Sequence, residues 1–145
     1  MANDTALGNW LTTQWAHTPR AFQVEVEGAR IACLGWNMDS VFLPGLVLVH
    51  GFRAHARWWD HIAPSFTDRY RVVALNLSGM GDSDRREAYS RAQNGREILA
   101  VAAACGFAPF TLVTHSFGTM GGILATKLAP EWIQRLIMID AGIPT

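Results

Sequence analysis

The chain has 145 residues, half of them hydrophobic, with six tryptophans and with twelve basic residues balancing twelve acidic ones. That length and composition favour one globular domain with a sizeable core and argue against a disordered chain. Zero net charge, with no basic stripe or charge block, argues against nucleic acid as a partner, and two distant cysteines, Cys33 and Cys105, read as reduced core thiols rather than a disulfide framework or a zinc site.

Residues 1–20 are polar, punctuated by Trp10 and Trp15, and lack the basic start and apolar run of a signal peptide. They read as an N-terminal extension ahead of a single unit, residues 21–145. No segment is long and apolar enough to span a membrane, so the expectation is a soluble cytoplasmic protein with no membrane partner.

Val24–Val26 and Ile31–Trp36 read as strands joined by a turn at Glu27-Gly28-Ala29-Arg30. A loop follows over Asn37–Gly45. Leu46-Val47-Leu48-Val49 is a continuous apolar run, the mark of a strand buried on both faces, and it ends at His50-Gly51. A helix is expected from about Trp58 to Phe66. Arg71–Leu77 is a second buried strand, ending in Ser78-Gly79-Met80-Gly81-Asp82-Ser83. Asp82, Ser83 and Asp84 read as caps of that turn and of the next helix, not as metal ligands. That helix spans Tyr89–Cys105, with Ile98, Leu99, Val101 and Ala102 facing the core and Gly106 as its stop.

Phe110–Thr114 is a β-branched run that reaches Ser116, and the helix-compatible residues Gly118, Thr119, Gly121, Gly122 and Ala125 follow at once. A serine at the apex of a strand–turn–helix sits in a tight turn that lifts its Oγ clear of the backbone. The first N–H groups of the helix then lie where an oxyanion would form. After a helix to about Leu128, Arg135–Asp140 is expected to be the last buried strand. Strands alternate with helices, which predicts an α/β fold: a mostly parallel sheet with helices on both faces. Gly79-Met80-Gly81 lacks the full glycine pattern and the lysine of a phosphate loop, so no nucleotide site is expected.

Three landmarks now line up in order: Leu46–Phe52 with Trp59 downstream, Asn76–Ser83, and Thr114-His115-Ser116-Phe117-Gly118. In that order and spacing the chain resembles the α/β-hydrolase fold family, in the branch with a serine nucleophile that includes esterases, C–C bond hydrolases and cofactor-free haloperoxidases. The resemblance covers nearly everything from Val24 onward. It implies that Ser116 is the nucleophile, that the backbone N–H groups of Phe52 and Phe117 are the oxyanion donors, and that no cofactor or metal takes part. It also implies a small-molecule substrate, an ester or related carboxyl-derived compound.

Arg53 and Trp59 are candidates for lining the substrate pocket; Arg53, His55 and Arg57 read either as a solvated loop or as groups that recognise a carboxylate on the substrate. His50 reads as a hydrogen-bonding residue that shapes the oxyanion loop. Asn76 stands where the family usually has Asp, and Thr114 where it usually has a small residue. A β-branched side chain at Thr114 crowds the strand–helix crossing. Members with an Asp nucleophile, the dehalogenases and epoxide hydrolases, usually carry proline where this chain has Arg53. Arg53 and Ser116 together argue against those two activities.

A serine needs a base, and in this fold the order is nucleophile, acid, histidine. All five histidines, His17, His50, His55, His61 and His115, precede Ser116. Of the acids only Glu131 and Asp140 follow it, and Asp140, at a strand end, is the one candidate for the catalytic acid. The expectation is therefore the N-terminal part of such a hydrolase, truncated after the sixth strand and nearly inactive alone. Arg135–Ala141 would be an open apolar edge, available to a complementing C-terminal half or to self-association. The alternatives are a catalytically inactive ligand-binding or interaction module, and a cofactor-free perhydrolase.

Overall fold

The computed structural model describes residues 2–142. Among the described residues six strands form one sheet: β1 (Arg20–Val26), β2 (Ala29–Trp36), β3 (Gly45–Val49), β4 (Arg71–Leu75), β5 (Phe110–His115) and β6 (Ile133–Ile139). Three helices accompany them: α1 (Ala2–Trp15), α2 (Arg91–Ala104) and α3 (Gly118–Leu128). The strand order is β1-β2-β4-β3-β5-β6. The β1–β2 and β2–β4 pairs are antiparallel, and β4–β3–β5–β6 run parallel. No helix among the described residues is long and apolar enough to cross a membrane.

The continuous apolar runs work as two interleaved faces. Along β3, Val47 and Val49 enter one core with Val73, Leu75, Leu112, Ile98 and Ala125, beneath α2 and α3. Leu46 and Leu48 enter a second core with Trp36, Val72, Ala74 and Trp59 on the opposite face. Because successive strand side chains alternate faces, a strand covered on both sides needs apolar residues at every position.

The second face is covered differently from the expected single helix over 58–66. Two 3-10 helices, Ala56–Trp59 and Ala63–Phe66, stand there instead. Pro64 lies in the first turn of the second. Proline has no N–H to give and disfavours helical geometry in the residue before it, so a helix arriving from Trp58 breaks there. Residues 1–20, read as an extension, contain α1, and Ser65 Oγ donates to Gln14 Oε1 across 3.1 Å.

Two further expectations give way. The cap of α2 is Ser90, whose Oγ accepts from the Gln93 N–H, not the Asp82–Asp84 stretch. Asp84 instead pairs with Arg30 at 3.0 Å. The last strand was expected to be buried, yet of β6 only Ile133 is, and Ile137, Met138 and Ile139 are exposed. β6 pairs with β5 alone among the described residues, which matches the open edge expected at Arg135–Ala141. Cys33 is buried and Cys105 half-buried, both free, and burial pushes both thiols up, Cys105 to about 11.

Candidate active site

The turn at Ser116 joins β5 to α3 in one residue of left-handed backbone, φ +49°. A non-glycine residue there costs about 1–2 kcal/mol, so the surroundings must hold it in place. They do so on both sides. The Ser116 N–H donates to the Ile139 carbonyl of β6 at 2.9 Å, and the Ser116 carbonyl accepts from the Thr119 N–H at 3.0 Å. The side chain is left exposed and makes no hydrogen bond among the described residues.

Two glycines let α3 start this close to the sheet. A Cβ on Gly118 would lie 2.5 Å from the His50 carbonyl oxygen, and one on Gly122 would lie 2.6 Å from Thr114 Cγ2. Thr114 therefore fits because Gly122 concedes the space that a small residue at 114 would otherwise supply. Its hydroxyl is used as well, 3.1 Å from Thr119 Oγ1 inside the crossing.

The loop after β3 lies against this turn. A Cβ on Gly51 would come within 3.4 Å of Ser116 Cβ. The rings of Phe52 and Phe117 meet at 5.5 Å, inclined by 50°. The two residues that follow Gly51 and Ser116 are thus neighbours, and neither backbone N–H has a hydrogen-bond partner among the described residues. Arg53, at φ +56°, carries its guanidinium over the Phe52 ring at 5.9 Å.

His50 is fully buried and supports this loop, as its place in the sequence suggested. Its Nε2 accepts from the Leu77 N–H at 3.1 Å, which requires the proton on Nδ1, and Nδ1–H donates to the Gly51 carbonyl at 2.7 Å. Burial holds its pKa below the ordinary value. With both nitrogens engaged and the ring kept neutral, His50 has no lone pair for a proton from Ser116. His115 stacks on Trp58 at 5.7 Å, and its Nδ1 is buried with no hydrogen-bond partner among the described residues.

Asn76 explains itself by its bonds. Its Oδ1 accepts from the Ala56 N–H at 2.7 Å and its Nδ2 donates to the Ala32 carbonyl at 3.3 Å. Ser83 donates to the Asn76 carbonyl and accepts from the Ala32 N–H. Glu97, fully buried, accepts from the Ser78 N–H and from Arg86, and so ties α2 to the same loop.

A cleft of about 770 Å³ opens between these loops, lined by Phe52, Arg53, His55, Phe117 and residues of the 78–94 segment. Of the candidate pocket residues Arg53 is there and Trp59 is not. Trp59 is 6% exposed and packs in the core beneath the 3-10 helices, while its neighbour Trp58 is the exposed one. Asp140 is exposed at φ +50°, one residue past the carbonyl that holds the Ser116 N–H, and makes no ion pair among the described residues. Arg85, Tyr89, Arg91 and Asn94 also line the cleft, and the sequence reading did not single them out for it. Among the described residues, no group of three or more metal-ligating side chains converges.

Against known proteins, the sequence model of the "Alpha/beta hydrolase family" matches residues 46–145. Epoxide hydrolase 4 of Mus musculus is 33% identical over 105 residues, covering 70% of this chain and 29% of that protein. Pyrrolizixenacetamide deacetylase of Xenorhabdus hominickii is 32% identical over 100 residues, covering 68% of this chain and 38% of that protein. A bacterial membrane phospholipase A superposes with a TM-score of 0.77 at 34% identity, covering 98% of this chain and 46% of that one. The chain thus spans about a third of the length of the curated relatives it matches.

Proposed function

From the premise that the chain belongs to the alpha/beta hydrolase family, we propose that it carries the nucleophile half of a serine hydrolase that cleaves a small ester or related carboxyl-derived substrate. Ser116 attacks the carbonyl carbon. The N–H groups of Phe52 and Phe117 receive the charge that develops on the carbonyl oxygen. The observation that carries this reading is the left-handed turn at Ser116, exposed at the start of α3, with the N–H groups of Phe52 and Phe117 without a hydrogen-bond partner among the described residues. Donors fixed in advance need no reorganisation during attack, and losing one typically costs about 2.7–4 kcal/mol of transition-state stabilisation. Serine at 116 and arginine at 53 support acyl transfer over epoxide opening, although one relative is named an epoxide hydrolase.

The base that this reading needs is not in place at Ser116 among the described residues. His50 is committed to the loop, and no histidine bonds to Ser116 Oγ among the described residues. Loss of the histidine from a serine hydrolase lowers turnover on the order of 10⁶-fold. The 145 residues alone should therefore be close to inactive. That same absence favours a second reading, a ligand-binding module that never acylates.

Chemical rescue separates the two. The chain is incubated with 4-nitrophenyl acetate and increasing imidazole, and acetylation of the peptide containing Ser116 is followed by mass spectrometry. A saturable, imidazole-dependent acetyl-Ser116 that Ser116→Ala lacks is the expected result. Acetylation that ignores imidazole, or that spares Ser116, leaves the binding module as the better reading.

A further inference from the structure

We infer that the cleft lined by Phe52 and Phe117, the two residues proposed as oxyanion donors, is an anion site, so that its ester carries a carboxylate or a phosphate at the end remote from the reacting carbonyl. The word ester rests on the serine-hydrolase reading; the anion site stands on separate observations.

Charge in this chain is balanced overall but not in the cleft. Four arginines are paired: Arg30 with Asp84, Arg57 with Asp60, Arg86 with Glu97 and Arg96 with Glu27, at 2.9–3.1 Å. Arg53, Arg85 and Arg91 all line the cleft, and none forms an ion pair among the described residues. His55 joins them, and no Asp or Glu is among the lining residues. Two other surface hollows differ. One sets Asp82 beside Arg57, and the other sets Asp39 and Asp68 beside Arg20.

The floor supplies an independent sign. Ser78 is 2% exposed, lines the cleft, and its Oγ has no hydrogen-bond partner among the described residues. An orphan hydroxyl at the base of a cationic cleft is a donor awaiting an acceptor. Asn94 lines the same cleft, 6% exposed, and its side-chain amide makes no hydrogen bond among the described residues. Arg91 opens α2, so the positive end of that 14-residue helix faces the same space. Guanidinium forks and neutral donors lining one cleft suit an oxygen acid, which accepts several hydrogen bonds at once. Phe52, Met80, Tyr89 and Phe117 line the same cleft and give it apolar surface for a short carbon spacer.

The test uses the 145-residue chain, with binding read from calorimetry and from the Phe52 and Phe117 amide resonances. The probes are monomethyl glutarate for a carboxylate tail, 2-acetoxyethyl phosphate for a phosphate tail, and dimethyl glutarate as the neutral control. At least one anionic probe should bind about tenfold more tightly than the neutral diester, and the tighter of the two identifies the tail. The double substitution Arg85→Gln/Arg91→Gln should cut that preference below about twofold without weakening dimethyl glutarate. Arg30→Gln, outside the cleft, should leave it intact. Equal affinity for charged and neutral probes, binding of none of them, or a preference that survives the double substitution overturns the anion site. Ser116→Ala should keep the preference while losing imidazole-dependent acetylation. Failure of the acetylation alone therefore counts only against the hydrolase reading.

Discussion

β3 and β6 are written in nearly the same alphabet, Leu-Val-Leu-Val against Leu-Ile-Met-Ile, and meet opposite fates. Every residue of β3 is buried; in β6 only Ile133 is. β3 lies between β4 and β5 and is covered on both faces, whereas β6 has a strand on one side only among the described residues. An apolar run therefore specifies a strand that can be buried, and neighbours far away in sequence decide whether it is. Both strands still serve the site. The end of β3 delivers the His50-Gly51-Phe52 loop, and the end of β6 offers the Ile139 carbonyl to the Ser116 N–H.

The largest expected effect exposes this contrast directly. Leu48→Ala, at a position 1% exposed, should cost about 2–5 kcal/mol through lost burial and a residual cavity. Ile137→Ala, at 47% exposed, should cost less than about 1 kcal/mol. Urea unfolding at constant m-value measures both. Similar losses at the two sites would mean that β6 is covered in solution, by a second copy or another chain.

The β5–α3 crossing lies between these extremes and yields an intermediate effect. Gly122→Ala drives a methyl onto Thr114 Cγ2 and should cost about 1–3 kcal/mol. Thr114→Ser removes that methyl and keeps the hydroxyl that faces Thr119. In the double substitution most of the Gly122→Ala cost should disappear, giving a coupling of about 1 kcal/mol in a double-mutant cycle. Simple additivity would show that the crossing is not what limits residue 114.

What the sequence made legible follows the same division. The parallel centre of the sheet, the turn at Ser116 and the bracing role of His50 are encoded within a few adjacent residues, so local pattern was enough. How the crossing accommodates Thr114 depends on its partner, Gly122, eight residues on and across a strand–helix contact. The expected helix over 58–66 ignored Pro64, a local signal that was available. Which of Trp58 and Trp59 faces inward turned on the phase of a short 3-10 helix, which periodicity does not fix. Arg85, Arg91 and Asn94 carried no motif at all. They converge only because Glu97 and Arg86 fasten the 78–94 segment against the β1–β2 hairpin, an arrangement made of contacts 11 to 60 residues apart.

The smallest effect is a slope with pH, and it belongs to the β3 side alone, since β6 carries no buried titratable side chain. His50 is neutral in the folded protein, because its Nε2 must stay unprotonated to accept from Leu77 and burial lowers its pKa. In the unfolded chain the ring titrates near its ordinary value, about 6.5. Below that pH the unfolded state binds a proton that the folded state refuses, so the stability contributed by neutral His50 is fully present above about pH 6.5. It is lost as pH falls through the folded value, at a rate that for one proton cannot exceed about 1.4 kcal/mol per pH unit. The lowered carboxyl groups of Glu27 and Asp84 are surface-exposed and act at lower pH. Urea midpoints between pH 7.5 and about pH 5 should therefore decline in the parent chain and decline less in His50→Gln, which starts from a lower stability. If the two slopes are equal, His50 is not the group that refuses the proton, and the fixed tautomer that removes it from consideration as the base for Ser116 loses its support.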